Sequence, residues 1–194
     1  MTLSARGAKT REELIRTATL QFAAHGFHHT SMADLLEAAS ISKGAFYHHF
    51  KSKQSLAGAV LEQALLDYEF HIVAPLQIMA PRERLLELMR RTLEMDESRL
   101  WPATQLLARM AQDASAITPE LAERVGHILQ WLVELWRITL CDARQASVVR
   151  DDLDCQATAE MIVAAWLGAA GCRELDERPL DLDRIAQQVL QLIC

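Results

Sequence analysis

At 194 residues, with 51% hydrophobic and 24% charged side chains, the chain has the balance of a folded globular protein, which excludes disordered and fibrous classes. Gly (7) and Pro (5) are scarce, so the composition favours helix almost throughout. The net charge of −6 is unevenly placed: residues 1–55 carry seven basic and four acidic groups, the remainder 13 and 22, and every lysine precedes residue 54. A basic head on an acidic body is expected where one part meets phosphate and the rest does not.

The first helix is expected over 9–25, with Leu14, Ile15, Ala18 and Phe22 on one face and Gly26 as its stop. Thr30 or Ser31 then caps a second helix over 32–39, whose inward residues are Leu35, Leu36 and Ala39. After a tight break at Ser40-Ile41, Ser42 caps a short third helix with Phe46 and Phe50 on one face. Ser52 caps a long fourth helix through Leu56, Leu61, Tyr68 and Ile72, which Pro75 should stop. Further helices are expected over 82–95, 102–114, 119–141, 154–173 and 182–192, with Thr118-Pro119-Glu120 a strong start signal for the third of these. No stretch alternates with period two, so no strand is expected. The predicted fold is all-α, with about nine helices. An N-terminal helix-turn-helix domain (1–55) is joined by a long helix to a helical effector-binding and dimerisation domain (56–194).

Two short helices around a tight turn have the dimensions of a helix-turn-helix. With Phe46 and Phe50 inward, Lys43, Gly44, Tyr47 and His48 face outward. Gly44 and Ala45 are small enough for the backbone to approach a groove floor. Lys43 can reach a guanine edge or a phosphate, and Tyr47 and the imidazoles can donate to phosphate oxygens. Lys51 and Lys53 follow at once.

The string from Thr30, T-S-M-A-D-L-L-E-A-A-S-I-S-K-G-A-F-Y-H-H-F-K-S-K-Q-S-L, resembles the DNA-binding region of the TetR family of bacterial regulators, and Phe22-Ala23-Ala24-His25-Gly26-Phe27 is similar to the family's end of helix 1. The resemblance covers about residues 10–61. It implies phosphate contacts by Thr30, Tyr47, His49 and Lys53, base-facing positions for Lys43, Gly44 and Ala45, and a borderline role for His48, with the cap Ser42 also in the DNA-binding set. Phe22, Leu35, Phe46, Phe50 and Leu56 would be core. Two departures stand out: Ser40 occupies a turn position where glycine is common, and Ala45 one where a larger side chain often reads a base.

The resemblance also implies an effector pocket in the body, with Tyr68, His71, Trp101, Gln105, Met110, Gln130, Trp131, Glu134 and Trp166 as candidates; core packing is the plainer explanation for several of the aromatics. Glu134 and the acidic body favour a cationic or neutral effector. Ala159, Ile162, Val163, Trp166, Ala169 and Ala170 form one apolar stripe, and Ile185, Val189 and Leu192 a second. They suggest a homodimer through the last two helices. The partners expected are double-stranded operator DNA and an unknown small-molecule effector.

His25, His28, His29, His48 and His49 lack the i, i+4 pairing and third ligand of a zinc site, so no metal is expected. No nucleophile or carboxylate pair has a catalytic setting, so neither enzyme activity nor a cofactor is expected. Cys141, Cys155, Cys172 and Cys194 are scattered, which reads as reduced thiols in a cytoplasmic protein. The alternatives to a ligand-released repressor are a cysteine-based redox or electrophile sensor, with Arg144 near Cys141 and Arg173 beside Cys172, and a helical ligand-binding protein without DNA binding. Residues 6–13 are charged where a signal peptide would be apolar, and 161–172 is too short to span a bilayer, so no membrane partner is expected.

Overall fold

In the computed structural model, which describes residues 5–97, 103–113, 117–172 and 181–193, the regular elements are all helical. Helices α1 (Ala5–His25), α2 (Met32–Ala38) and α3 (Lys43–His49) make the head. Helix α4 (Lys53–Tyr68) leaves it and continues through a π-helical turn (Glu69–Val73) into α5 (Ala74–Leu76). The body holds α6 (Pro81–Glu97), α7 (Ala103–Gln112), α8 (Pro119–Gln145), α9 (Cys155–Cys172) and α10 (Leu182–Ile193). With 53–76 taken as one rod, nine helical units stand among the described residues, the number the periodicity predicts.

The caps follow the sequence closely. Ser31 rather than Thr30 caps α2, in a reciprocal box: its hydroxyl accepts from the Asp34 N–H at 3.2 Å while Asp34 accepts from the Ser31 N–H at 2.7 Å. These bonds hold the Asp34 carboxyl below its ordinary range. At the other end of α2, Ser40 adopts φ +52°. Its N–H donates to Glu37, and the Ile41 N–H reaches back to Leu36. This is a Schellman stop with serine in the left-handed position that glycine fills at least cost. Gly26, at φ +81°, is needed twice over, because a Cβ there would lie 2.9 Å from the Asp113 carboxylate.

Pro75 does not end the fourth helix as expected. Lacking an N–H, it leaves the carbonyl of His71, four residues back, without its helical donor, and its ring crowds that carbonyl. The chain accommodates this by widening into a π turn, in which the Ala74 N–H bonds Glu69. Arg91 of α6 supplies the missing donor, 2.7 Å from the His71 carbonyl.

The head has no core of its own. Leu14, Ala18, Phe22, Leu35, Phe46, Phe50 and Leu56 pack in one cluster with Leu106, Leu107 and Met110 of α7 and Leu121 and Val125 of α8. A second cluster, around Leu88, Trp136, Leu140, Ile162 and Trp166, fills the far end. Leu132 and Leu167 border both clusters. Helix α7 is the strut between the ends, packing on α1 at one side and α9 at the other.

Candidate nucleic-acid interface and effector cavity

Helix α3 begins at Ser42, whose hydroxyl accepts from the Ala45 N–H at 3.2 Å. Phe46 is fully buried and Phe50 nearly so, which turns Lys43, Gly44, Tyr47 and His48 to the surface. A Cβ built on Gly44 would meet nothing nearer than the Ser42 hydroxyl at 4.0 Å. The chain's own packing therefore gives no reason for a glycine inside this helix, where it is a poor helix former. His49 is half-buried; burial, then His48 and Arg11, push its imidazole below its ordinary pKa. Arg11 itself lies over the Phe50 ring, 5.3 Å from its centroid. The expected DNA-facing residues Ser42, Lys43, Gly44, Ala45, Tyr47, His48 and His49 thus share one short capped helix and its cap.

Thr30 and Lys53 differ from the expectation. The Thr30 side chain is buried, and its hydroxyl donates to the Gly26 carbonyl at 2.7 Å, closing the turn after α1. Its hydroxyl is committed inward, not offered to a phosphate. The Lys53 ammonium donates at 2.8 Å to the carbonyls of both Phe27 and Thr30 and lies 4.2 Å from the Phe27 ring centroid. Burial pushes its pKa down. Two of its three N–H groups brace the same turn, which leaves one for a phosphate. From the body, Asp113 accepts the His28 N–H at 3.1 Å. The turn at 26–30 is therefore held from α4 and from the end of α7 together.

In the body, a cavity of about 40 Å³ lies among α4, α6, α7, α8 and α9. Tyr68 and Trp166 line it, as the sequence suggests, and so do Thr92, Thr104 and Trp136, which sequence reasoning missed. The Thr92 hydroxyl donates to the Leu88 carbonyl at 2.8 Å. The Tyr68 hydroxyl lies 3.4 Å from the Thr92 oxygen, and burial pushes its pKa up to about 12. The indole N–H of Trp166 is buried and has no acceptor among the described residues.

Other expected pocket residues fall elsewhere. Trp131 meets the Tyr68 ring edge-on, 5.8 Å between centroids, beside a smaller void of about 20 Å³. Met110 is fully buried in the core shared with the head. Gln105 is half-buried on α7, outside the lining. His71, Gln130 and Glu134 face solvent, and Glu134 pairs with Arg137. Trp101 lies outside the described residues. Because Glu134 faces away, it gives no support to a cationic effector.

The dimer stripe also changes. Ala159, Ile162, Val163, Trp166, Ala169 and Ala170 are all buried within the chain, as is Val189. The face that α9 leaves exposed carries Ala157, Met161, Ala164 and Gly168, four or three residues apart, and Leu192 is exposed on α10. Near the thiols, Arg137 rather than Arg144 approaches Cys141, at 3.9 Å. Arg144 donates to the Leu153 carbonyl. Burial and the neighbouring Cys141 push the Cys155 thiol up in pKa, which makes it less reactive. The side chain of Cys172 and residue Cys194 lie outside the description. Among the described residues no group of three or more His, Cys, Asp or Glu could hold a metal, and no helix is long and apolar enough to cross a membrane.

A recognition helix projecting from a braced turn, ahead of an α-helical body, is the build of a helix-turn-helix transcription regulator. Residues 14–60 match the family of bacterial regulatory proteins designated tetR, and residues 81–189 match the tetracyclin repressor-like C-terminal domain. The chain belongs to the TetR family of transcriptional regulators. Among its relatives is the repressor DhaR of Mycobacterium sp. strain GP1, 22% identical over 185 residues, 94% of this chain and 91% of DhaR. Its fold is similar to that of reduced Escherichia coli NemR, with TM-score 0.80 and 23% identity over 96% and 97% of the two chains. It is also similar to AibR, crystallised with isovaleryl coenzyme A and operator DNA, with TM-score 0.74 and 19% identity over 94% and 97%.

Proposed function

We propose that the chain is a homodimeric repressor that sets α3 into the major groove of a palindromic operator and leaves the DNA when a small molecule enters the body. Gly44 carries the DNA reading. It is an exposed helical glycine with no internal neighbour to explain it, next to the outward Lys43, so the missing side chain makes room for something outside the chain. Lys43 reads a base edge, while Tyr47, His48 and His49 hold phosphates. Two such heads, about 34 Å apart, meet successive major grooves on one face of the duplex. The exposed face of α9 with Leu192 of α10 is the surface on which two copies pair. AibR, crystallised with isovaleryl coenzyme A and operator DNA, supports a regulator of this fold that takes both a small molecule and DNA.

Release follows from two struts. Helix α4 runs from Tyr68 in the cavity wall to Lys53 at the 26–30 turn, 16 residues or about 24 Å. Helix α7 runs from Thr104 and Leu107 in the same wall towards Asp113 at the same turn. A molecule that parts these walls moves both struts where they grip the head, and so favours a head spacing that no longer fits the operator.

The test is a gel shift on DNA from upstream of the protein's own gene. Gly44→Leu is expected to weaken binding by at least about a hundredfold, near 2.7 kcal/mol, with an unchanged melting temperature. Lys43→Ala and Tyr47→Phe should cost less. Wild-type affinity in all three variants, together with wild-type binding that is indifferent to salt, would sink the DNA reading.

A further inference from the structure

The body cavity specifies the kind of molecule that fits it. Among the described residues its lining holds no lysine, arginine, histidine, aspartate or glutamate. The only titratable side chain there is Tyr68, neutral at any physiological pH. An isolated charge brought into such a space would lose its water and gain no counter-ion. The polar groups among the described lining residues are the hydroxyls of Tyr68, Thr92 and Thr104 and the indoles of Trp136 and Trp166. The Trp166 N–H is a buried donor with no acceptor among the described residues, a state that costs free energy until an acceptor arrives. The Thr92 proton is committed to Leu88, so Tyr68 is the donor in its contact with Thr92, and at 3.4 Å that bond is long. Tyr68 can turn its proton to a better acceptor at little loss. Tyr68 and Trp166 thus bring to the cavity lining two donors open to a new acceptor, beside the apolar surfaces of Leu107, Leu132 and Ile162.

We propose, on the reading that this cavity is the effector site, that the effector is uncharged and mainly apolar, with a carbonyl-type oxygen that accepts from Trp166 and Tyr68. At about 40 Å³ the space holds only a water or two, far below the few hundred Å³ that a ligand occupies. Entry thus separates α4 and α7 from α9, the same displacement that release requires.

Four probes of matched ring size test this: acetophenone, ethylbenzene, benzoate and benzylammonium. They are titrated into the full-length protein with ¹⁵N-labelled indoles, followed by the Trp166 N–H resonance. Acetophenone is expected to bind most tightly and to move that resonance. Trp166→Phe, which keeps a ring, should weaken acetophenone about tenfold and leave ethylbenzene unchanged; a separate melting curve checks that the variant is folded. Equal or tighter binding of either charged probe overturns the proposal. So does ethylbenzene binding as well as the ketone, a Trp166→Phe variant with unchanged preference, or no binding by any probe. Operator release is read separately by fluorescence anisotropy of labelled upstream DNA. A ketone that binds at Trp166 without releasing DNA leaves the chemical class standing and removes the effector role.

Discussion

The two ends of the molecule treat their buried polar groups in opposite ways. In the head, Thr30 closes on Gly26, Lys53 bridges Phe27 and Thr30, Asp113 takes the His28 N–H, and serines cap α2 and α3. In the body, Trp166 keeps a buried N–H without an acceptor, and Tyr68 holds Thr92 at the limit of a hydrogen bond. A head whose turn is braced from α4 and from the end of α7 presents a fixed surface, which suits a helix that must match a duplex of fixed geometry. A body left incomplete gains free energy from a ligand that completes it, and only such a differential gain can shift a conformational equilibrium.

The contrast can be broken at the shared core. Phe46→Ala empties a fully buried site and should cost about 3–5 kcal/mol. All four tryptophans lie beyond residue 100, so their fluorescence follows the body alone. One core predicts that the tryptophan melting transition falls with the head; an unshifted tryptophan transition would make the head an independent unit. Lys53→Met removes two charged hydrogen bonds to carbonyls and should cost about 1–3 kcal/mol while leaving the salt slope of operator binding nearly unchanged. A slope that falls by about one with no loss of stability would return Lys53 to the phosphates.

His49 sharpens the electrostatics of the head. Its pKa is depressed in the free protein; if it holds a phosphate as proposed, that phosphate raises the pKa in the complex and binding takes up a proton. Affinity should therefore rise as the pH falls from 7.5 towards 6, by at most about tenfold per unit, with the gain lost again as the pH climbs through the raised pKa. His49→Gln should flatten the profile; a profile unchanged by that substitution removes His49 from the interface. The smallest effect is Ser40→Gly, which relieves a left-handed serine. It should raise stability by about 0.5–1 kcal/mol net of the glycine's greater freedom when unfolded, measured by denaturant midpoint.

How much of this was legible in the sequence depended on how local each cause was. Helix starts and stops were readable because a cap acts within four residues: Ser31, Ser42, Ser52, Thr118 and Gly26 all sit where they were expected. The outward set Lys43, Gly44, Tyr47 and His48 followed from one helical turn with Phe46 and Phe50 inward. Pro75 marks a disturbance of the fourth helix but does not say whether the chain stops or widens, and the Arg91 guanidinium on the His71 carbonyl comes from another helix. The family resemblance implies phosphate contacts for Thr30 and Lys53, but it does not show the carbonyls of Gly26, Phe27 and Thr30 that take up their donors. The stripe on α9 was visible as apolar residues, yet periodicity cannot say which of two apolar faces meets its own chain. The cavity was least legible, with Tyr68 and Trp166 anticipated but Thr92, Thr104 and Trp136 not. Helix starts, caps and the outward face of α3 are readable from the residues alone, because they rest on interactions between near neighbours. Which polar groups are consumed and which stay open is set by packing, because the partner lies far along the chain.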